Sequence, residues 1–309
     1  MITGEALSGT EPTTGAKNAV DQRNRDREEA RRLKDSVRLA EEIASHSGRR
    51  KDIPIRHLFV RDPAREGATP LTRLVNVRGR GNAVALRLYI ALIWKCSAPP
   101  FDTEISARKW AELLALEDPG RRGARRITDA LQTLSKEKLI QVEHRHGEAS
   151  IITLLEESGT GRPYDLPSTS YVRSRGKEQE RHRYFKVPAK LWTGQHIQQL
   201  SAPAIAMLLV TLSSAQPGQP VWWSTTLFPE MFGLSSATRA RGTKELVDRG
   251  LLDVSKTLVG ESSVSKREFG RERVRNNYQL FGDANPFPRK RKPPALGTFT
   301  PKKKTPAKP

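Results

Sequence analysis

A single cysteine, Cys96, stands in a chain of 309 residues. One thiol excludes an intramolecular disulfide and leaves no thiolate cluster for zinc. No long uninterrupted apolar run occurs, which argues against a membrane span. The first residues lack a basic start followed by an apolar stretch, so no secretory signal is expected. No Gly-x4-Gly-Lys-Ser/Thr loop is present, so the common route to nucleotide triphosphates is absent. There is no Asp-x-Asp pair, and Glu156 and Glu157 would alternate faces on a strand. The apolar share is 36%, below that of ordinary globular domains even with the 22 glycines added, so part of the chain is expected to stay unfolded. Acidic residues are the scarcer charge. There are 34 Asp and Glu against 54 Lys and Arg, a formal net charge of +20. Solubility needs far less, so the excess points to a polyanion partner. The expected setting is cytoplasmic and nucleoid-associated, without membrane contact.

The excess is unevenly placed. Residues 1–52 carry a net +1, residues 53–160 a net +4, residues 161–282 a net +8 and residues 283–309 a net +7. Residues 1–20 read as a flexible leader and 21–46 as a charged helix with Glu28/Arg32, Arg31/Asp35 and Arg38/Glu42 at helical spacing. A thin stripe of Ala30, Leu33, Val37, Ala40 and Ala44 could form a short coiled-coil seam, against which stands the plainer reading of a solvated helix or disorder. The tail is rich in Pro and Lys and poor in large apolar groups, so it is expected to be disordered. Its clusters Arg289, Lys290, Arg291, Lys292 and Lys302, Lys303, Lys304 suit a sequence-neutral phosphate-binding arm. A solubility tail and an import signal are the other readings.

Internal similarity carries the most information. AVALRLYIALIW (83–94) and AIAMLLVTLSSA (204–215) are matching apolar helices, the second with Ser201 as N-cap and Pro203 in its first turn. A Pro-containing turn and a short aromatic segment follow each, APPFD (98–102) and QPVWWS (219–224). A short helix then ends at Leu116 or Leu234. Next come the helices 124–140 and 236–252, which finish in Leu139-Ile140 and Leu251-Leu252. A two-stranded ribbon closes each copy: 141–143 with 151–154, and Asp253 to Leu258 with Val274 to Phe281.

Helix, short strand, helix, turn, helix and ribbon is the order of a winged helix. The residues Thr238 to Leu246 followed by Asp248-Arg249-Gly250-Leu251-Leu252 resemble the end of a winged-helix recognition helix. Gly250 suits the position just past the helix, where a positive φ is wanted. Ile127 to Leu134 match the same pattern, with Lys138 where Gly250 sits. The tandem arrangement is similar to plasmid replication initiators built from two winged helices. The resemblance implies an α+β fold, mainly helical with small β-ribbons. It divides the chain into a leader and charged helix (1–52), winged-helix domain one (53–157), a linker (158–181), winged-helix domain two (182–282) and a disordered basic tail (283–309).

A recognition helix sets its N-terminal turns nearest the base edges. Ser235 would cap the helix and leave backbone N–H groups for a phosphate. Ser236, Thr238, Arg241 and Lys244 are placed opposite Leu246 and Val247. Arg241 is the favoured base contact, since Arg bonds guanine O6 and N7 bidentately. Arg239 takes an ordinarily apolar position, where it would tuck its stem. In the long second wing, Lys266, Arg267, Arg271 and Arg273 suit phosphates or a minor groove. In unit one, Asp129 stands where unit two has Arg241, while Arg121, Arg122, Arg125 and Arg126 crowd the start of the helix. They would clamp backbone or bind a partner's acids.

Of the two adjacent tryptophans, Trp222 and Trp223, core packing is expected, with base stacking as the alternative. His144-Arg145-His146 differs from a metal-binding His pair on a strand, because the middle residue is Arg and Gly147 follows. No catalytic residue, metal or cofactor is expected. The function expected is sequence-specific binding of double-stranded DNA, as an initiator of plasmid or mobile-element replication. A transcriptional regulator and a sequence-neutral coating or RNA-binding protein are the alternatives. A homodimer through domain one or the N-terminal helix would be a second partner.

Overall fold

The computed structural model describes residues 14–61, 68–76, 81–259 and 273–287. The expected basic tail and the tip of the second wing lie outside them, as does most of the leader. The fold is mixed α+β, mostly helical, with small antiparallel sheets. Among the described residues no helix is long and apolar enough to cross a membrane.

Helix α1 (Thr14–His46) begins the described chain. The sequence left it as a solvated helix or a seam for a second chain, but its C-terminal half docks within the molecule. Ser36, Ala40 and Ile43 are buried, and the helix packs on α4 (Ala107–Leu113) and α8 (Lys190–Thr193). Ser36 donates to the Leu113 carbonyl and accepts from Gln198 Nε2 at 3.0 Å. A stripe too thin for a coiled coil is enough to cover a neighbouring core.

Unit one runs β1 (Asp52–Arg56), α2 (Pro70–Asn76), α3 (Asn82–Lys95), β2 (Asp102–Thr103), α4, α5 (Ala124–Lys136), β3 (Ile140–Glu143) and β4 (Ile151–Leu154). Helix α3 is apolar nearly all round, and ten of its residues are buried. Cys96 caps its end, buried, with its thiol pushed up to about 12 by desolvation. The three strands order as β2-β4-β3, all antiparallel, with Ile152 opposite both Thr103 and Val142.

Helices α6 (Pro167–Arg173) and α7 (Gly176–Arg181) follow. Unit two then repeats the order: β5 (Tyr184–Pro188), α8, α9 (Ala202–Ser214), α10 (Leu227–Phe232), α11 (Ser236–Asp248), β6 (Leu252–Val259) and β7 (Arg273–Leu280). Ser201 caps α9 as expected, accepting from the Ala204 N–H. Val221 bridges Tyr278 through two backbone hydrogen bonds of 2.8 and 2.7 Å. That bridge lies where β2 meets β4 in unit one, so both units set a short extended segment against the returning ribbon strand.

The units are joined rather than strung. Their lead-in strands β1 and β5 pair antiparallel, Ile53 opposite Val187 and Ile55 opposite Phe185. Helix α3 packs on α9, and Trp94 stacks on Trp192 with centroids 5.9 Å apart. One contiguous core serves both.

The segment expected as a linker, 158–181, holds α6 and α7 and buries Tyr164 and Ser170. Its physical anchor is Arg56 in β1, fully buried with Glu157 at 2.5 Å. Arg56 also donates to the Asp165 carbonyl at 2.8 Å, Ser170 Oγ at 3.3 Å and His182 Nδ1 at 3.3 Å. Burial works against its charge, but Glu157, helped by Tyr164 and Glu156, raises its pKa on balance. Glu156 and Glu157 do not alternate as on a strand. They lie beyond β4 and both are buried, Glu156 paired with Arg181 at 3.7 Å.

Candidate nucleic-acid interface

Helix α11 starts where the sequence placed it. Ser235 Oγ accepts from the Thr238 N–H at 3.1 Å, leaving the other N-terminal amides free. It ends at Gly250, whose φ is +66°. Lys138 occupies the matching place after α5 with φ +55°, so the same left-handed stop is made twice, once by a residue that pays steric strain.

Thr238, Gly242 and Leu246 step by four and form the buried side of α11. Gly242 lies so close to α9 that an added Cβ would stand 2.2 Å from the Pro203 carbonyl oxygen. Thr238 therefore does not share the outward side with Ser236, Arg241 and Lys244. Its hydroxyl meets Ser235 Oγ at 3.0 Å. Val247 is 42% exposed and does not belong with Leu246 on the inward side. The exposed surface holds Ser236, Ala237, Ala240, Arg241, Lys244, Val247 and Asp248. Lys244 pairs with Asp248 at 2.6 Å, whereas Arg241 reaches only the Ala237 carbonyl at 3.4 Å.

Arg239 is turned inward, guanidinium included. Its carbon lies 4.4 Å from the Phe228 centroid, 5.4 Å from Tyr278 and 5.8 Å from Trp223. Nη2 donates to Tyr278 Oη at 2.9 Å. The matching residue of α5 is Ile127, fully buried. Unit two fills that core position with a cation and surrounds it with ring faces, which attract it. Arg239 is thus bound within the fold rather than presented with Arg241.

In the β6–β7 ribbon, Arg273 ends the described pairing opposite Val259, while Lys266, Arg267 and Arg271 lie outside the described residues. Trp223 packs in the core as expected. Trp222 does not: it is 49% exposed, with the Arg275 guanidinium 3.7 Å above its ring. Alternation across the short segment separates the two tryptophans.

In unit one the segment before α5 forms a π-helical turn, Pro119–Gly123, entered through Asp118. Arg122 is held there by Glu117 at 3.1 Å and Asp118 at 3.7 Å. Arg121, Arg125 and Arg126 are exposed, and among the described residues none has a carboxylate partner. Asp129 is exposed on the same helix. His144, Arg145 and His146 lie between β3 and β4, with Arg145 ringed by Glu104, Glu143 and Glu148 at 3.3–3.9 Å.

A further group was missed from sequence. The loop 199–201, leading into α9, is held from three sides. Arg249, just past α11, donates to Gln199 Oε1 at 3.2 Å and to its carbonyl at 3.4 Å. Arg87 of α3 donates to the Leu200 carbonyl at 2.6 Å. Glu245 accepts from the Ser201 N–H at 2.9 Å and from its hydroxyl, and pairs with Arg249 at 3.6 Å. Burial holds the Arg87 pKa down to about 10; Arg126 and Arg249 add to this and Glu245 opposes it. Arg87 was legible in principle, as the one charge inside the apolar run 83–94.

No protein-family model, no curated protein and no solved structure matches this chain.

Proposed function

We propose that this is a non-enzymatic protein that binds double-stranded DNA through two winged-helix units, with α11 as its principal reading helix and α5 as its partner. The observation that carries the reading is the doubled topology. Each unit sets a third helix beside an antiparallel ribbon, and each leaves arginines without a carboxylate partner among the described residues on or next to that helix, Arg241 in one and Arg121, Arg125 and Arg126 in the other. The first turns of the outward side of α11 carry small residues beside Arg241, namely Ser236, Ala237 and Ala240, which allow a close approach to base edges. The net charge of +20 supplies the sequence-neutral part of the attraction.

The role we assign is initiation of replication on a plasmid or mobile element. The pairing of β1 with β5 and the common core support it: one chain offers two reading helices in a set relation, without a dimer axis. Pull-down of genomic DNA with sequencing tests this. A cluster of direct repeats beside an A·T-rich stretch is expected. A single palindrome at a promoter would make the protein a regulator, and the absence of any enriched site would reduce it to a coating protein.

A further inference from the structure

Trp222 takes no part in the core of unit two. It sits on the short extended segment that Val221 ties to Tyr278 of β7. Its neighbour Trp223 faces Phe228, Phe232 and Tyr278, the side that Arg239 of α11 also reaches. Trp222 faces the other way and is half exposed. The Arg275 guanidinium lies 3.7 Å from the centre of its ring. A guanidinium laid flat on a ring uses its face and keeps its N–H edges. Among the described residues those edges meet no carboxylate and no other acceptor.

The surroundings suit a nucleic-acid strand. Arg275, Asn277 and Gln279 share the outward face of β7, opposite Thr257, Ser255 and Asp253 of β6. Asp253 is the one acid on these two strands, and it stands at the end away from Arg275. Trp222 also borders an open cleft of about 280 Å³, walled by Gln216, Gln219, Pro220 and Met231. Arg275 does not line that cleft, so the indole meets it with a part the guanidinium leaves bare. The cleft falls just short of a drug-sized pocket and suits one planar ring. The side-chain amides of Gln216 and Gln219 have no hydrogen-bond partner among the described residues and offer donors and acceptors to a base edge.

We propose that Trp222 and Arg275 form a site for single-stranded DNA, in which an unpaired base stacks on the indole and Arg275 holds the adjoining phosphate. The site rests on the DNA-binding function above and adds a second form of DNA to it. An unpaired strand is required, because in a duplex each base face is covered by its neighbours. The face lies on the opposite side of the segment from α11's contacts, so a strand opened beside the duplex has a place of its own.

The test measures binding of a labelled oligothymidylate of about 12 nucleotides and of a random-sequence duplex to the full chain. The proteins are wild type, Trp222→Ala, Trp222→Phe and Arg275→Gln, with Arg145→Gln on the hairpin of unit one as control. Loss of one stacked base predicts that Trp222→Ala weakens single-strand binding about 5-fold to about 140-fold and leaves duplex binding unchanged. Arg275→Gln should lower the slope of log affinity against log salt by about 0.7 on the single strand, the share of one phosphate. Trp222→Phe keeps a ring, so it should retain most of the binding while losing part of the tryptophan quenching that the strand causes in wild type. The control should match wild type. Unchanged single-strand affinity in Trp222→Ala, or equal losses on strand and duplex, would overturn the site, and so would full quenching in Trp222→Phe. A wild type that binds duplex but no oligothymidylate would overturn the site and leave the function standing. A wild type that binds neither would overturn both. Tighter binding of the matching oligouridylate would reject DNA as the occupant in favour of RNA.

Discussion

Two arginines two residues apart on α11 behave oppositely, and the difference lies in what surrounds each one. Arg241 is exposed and has no carboxylate partner among the described residues, while Arg239 is enclosed by Trp223, Phe228 and Tyr278 and bonded to the tyrosine. Arg239→Met should cost about 2–4 kcal/mol of stability, from one charge-assisted hydrogen bond and its ring contacts. Arg241→Ala should leave stability within about 0.5 kcal/mol but reduce discrimination between specific and random duplex by about 1–3 kcal/mol. Urea denaturation and competitive binding read the two quantities separately, and Arg125→Ala should relax specificity less than Arg241→Ala does.

His57 gives a pH dependence at the same scale. Burial is the main cause that lowers its pKa from 6.5 to about 4, and Arg183 and Arg61 add to it. The unfolded chain therefore takes up the proton first as pH falls. Stability is complete above the unfolded value and is lost between pH 6.5 and about 4, by up to about 1.4 kcal/mol per pH unit. His57→Gln should flatten that part of the profile, measured as urea midpoints across the window.

At the scale of elements, the contact between α11 and α9 depends on a missing side chain. Gly242→Ala would gain about 1 kcal/mol of helix propensity, but its methyl would meet the backbone oxygen of Pro203. The neighbour is backbone and cannot rotate away, so we expect a net destabilisation of about 1–3 kcal/mol in thermal melts. The elements themselves were largely readable. Ser201, Ser235 and Gly250 mark their boundaries by local chemistry, and all three act as expected. The reading failed where the decisive partner was distant in sequence. The inward turn of Arg239 needs Tyr278, and the docking of α1 needs Leu113 and Gln198. Thr238 is a different failure: its four-residue step to Gly242 and Leu246 was visible but was outweighed by its polar side chain.

At the scale of the whole molecule, the two units share a sheet and a core, and Arg56 ties unit one to the 158–181 segment. We therefore expect one cooperative unfolding transition, with tryptophan fluorescence and far-ultraviolet circular dichroism giving coincident curves. Trp94 and Trp192 report on the contact between the units directly. Two separated transitions would show that the units fold independently and that the 158–181 segment is dispensable to their union.

The sequence by itself determined the local grammar: net charge, helix caps, the repeated order of elements and the positions of the turns. Each of these follows from residue type and short-range spacing. Only the tertiary structure decided which charges are used up. Arg56, Arg239 and Glu245 are consumed by partners far away in the chain, while Arg121, Arg125, Arg126 and Arg241 stay exposed with no carboxylate partner among the described residues. Burial and pairing are properties of the packed chain, so no count of basic residues could separate the arginines that hold the fold from those left to meet a ligand.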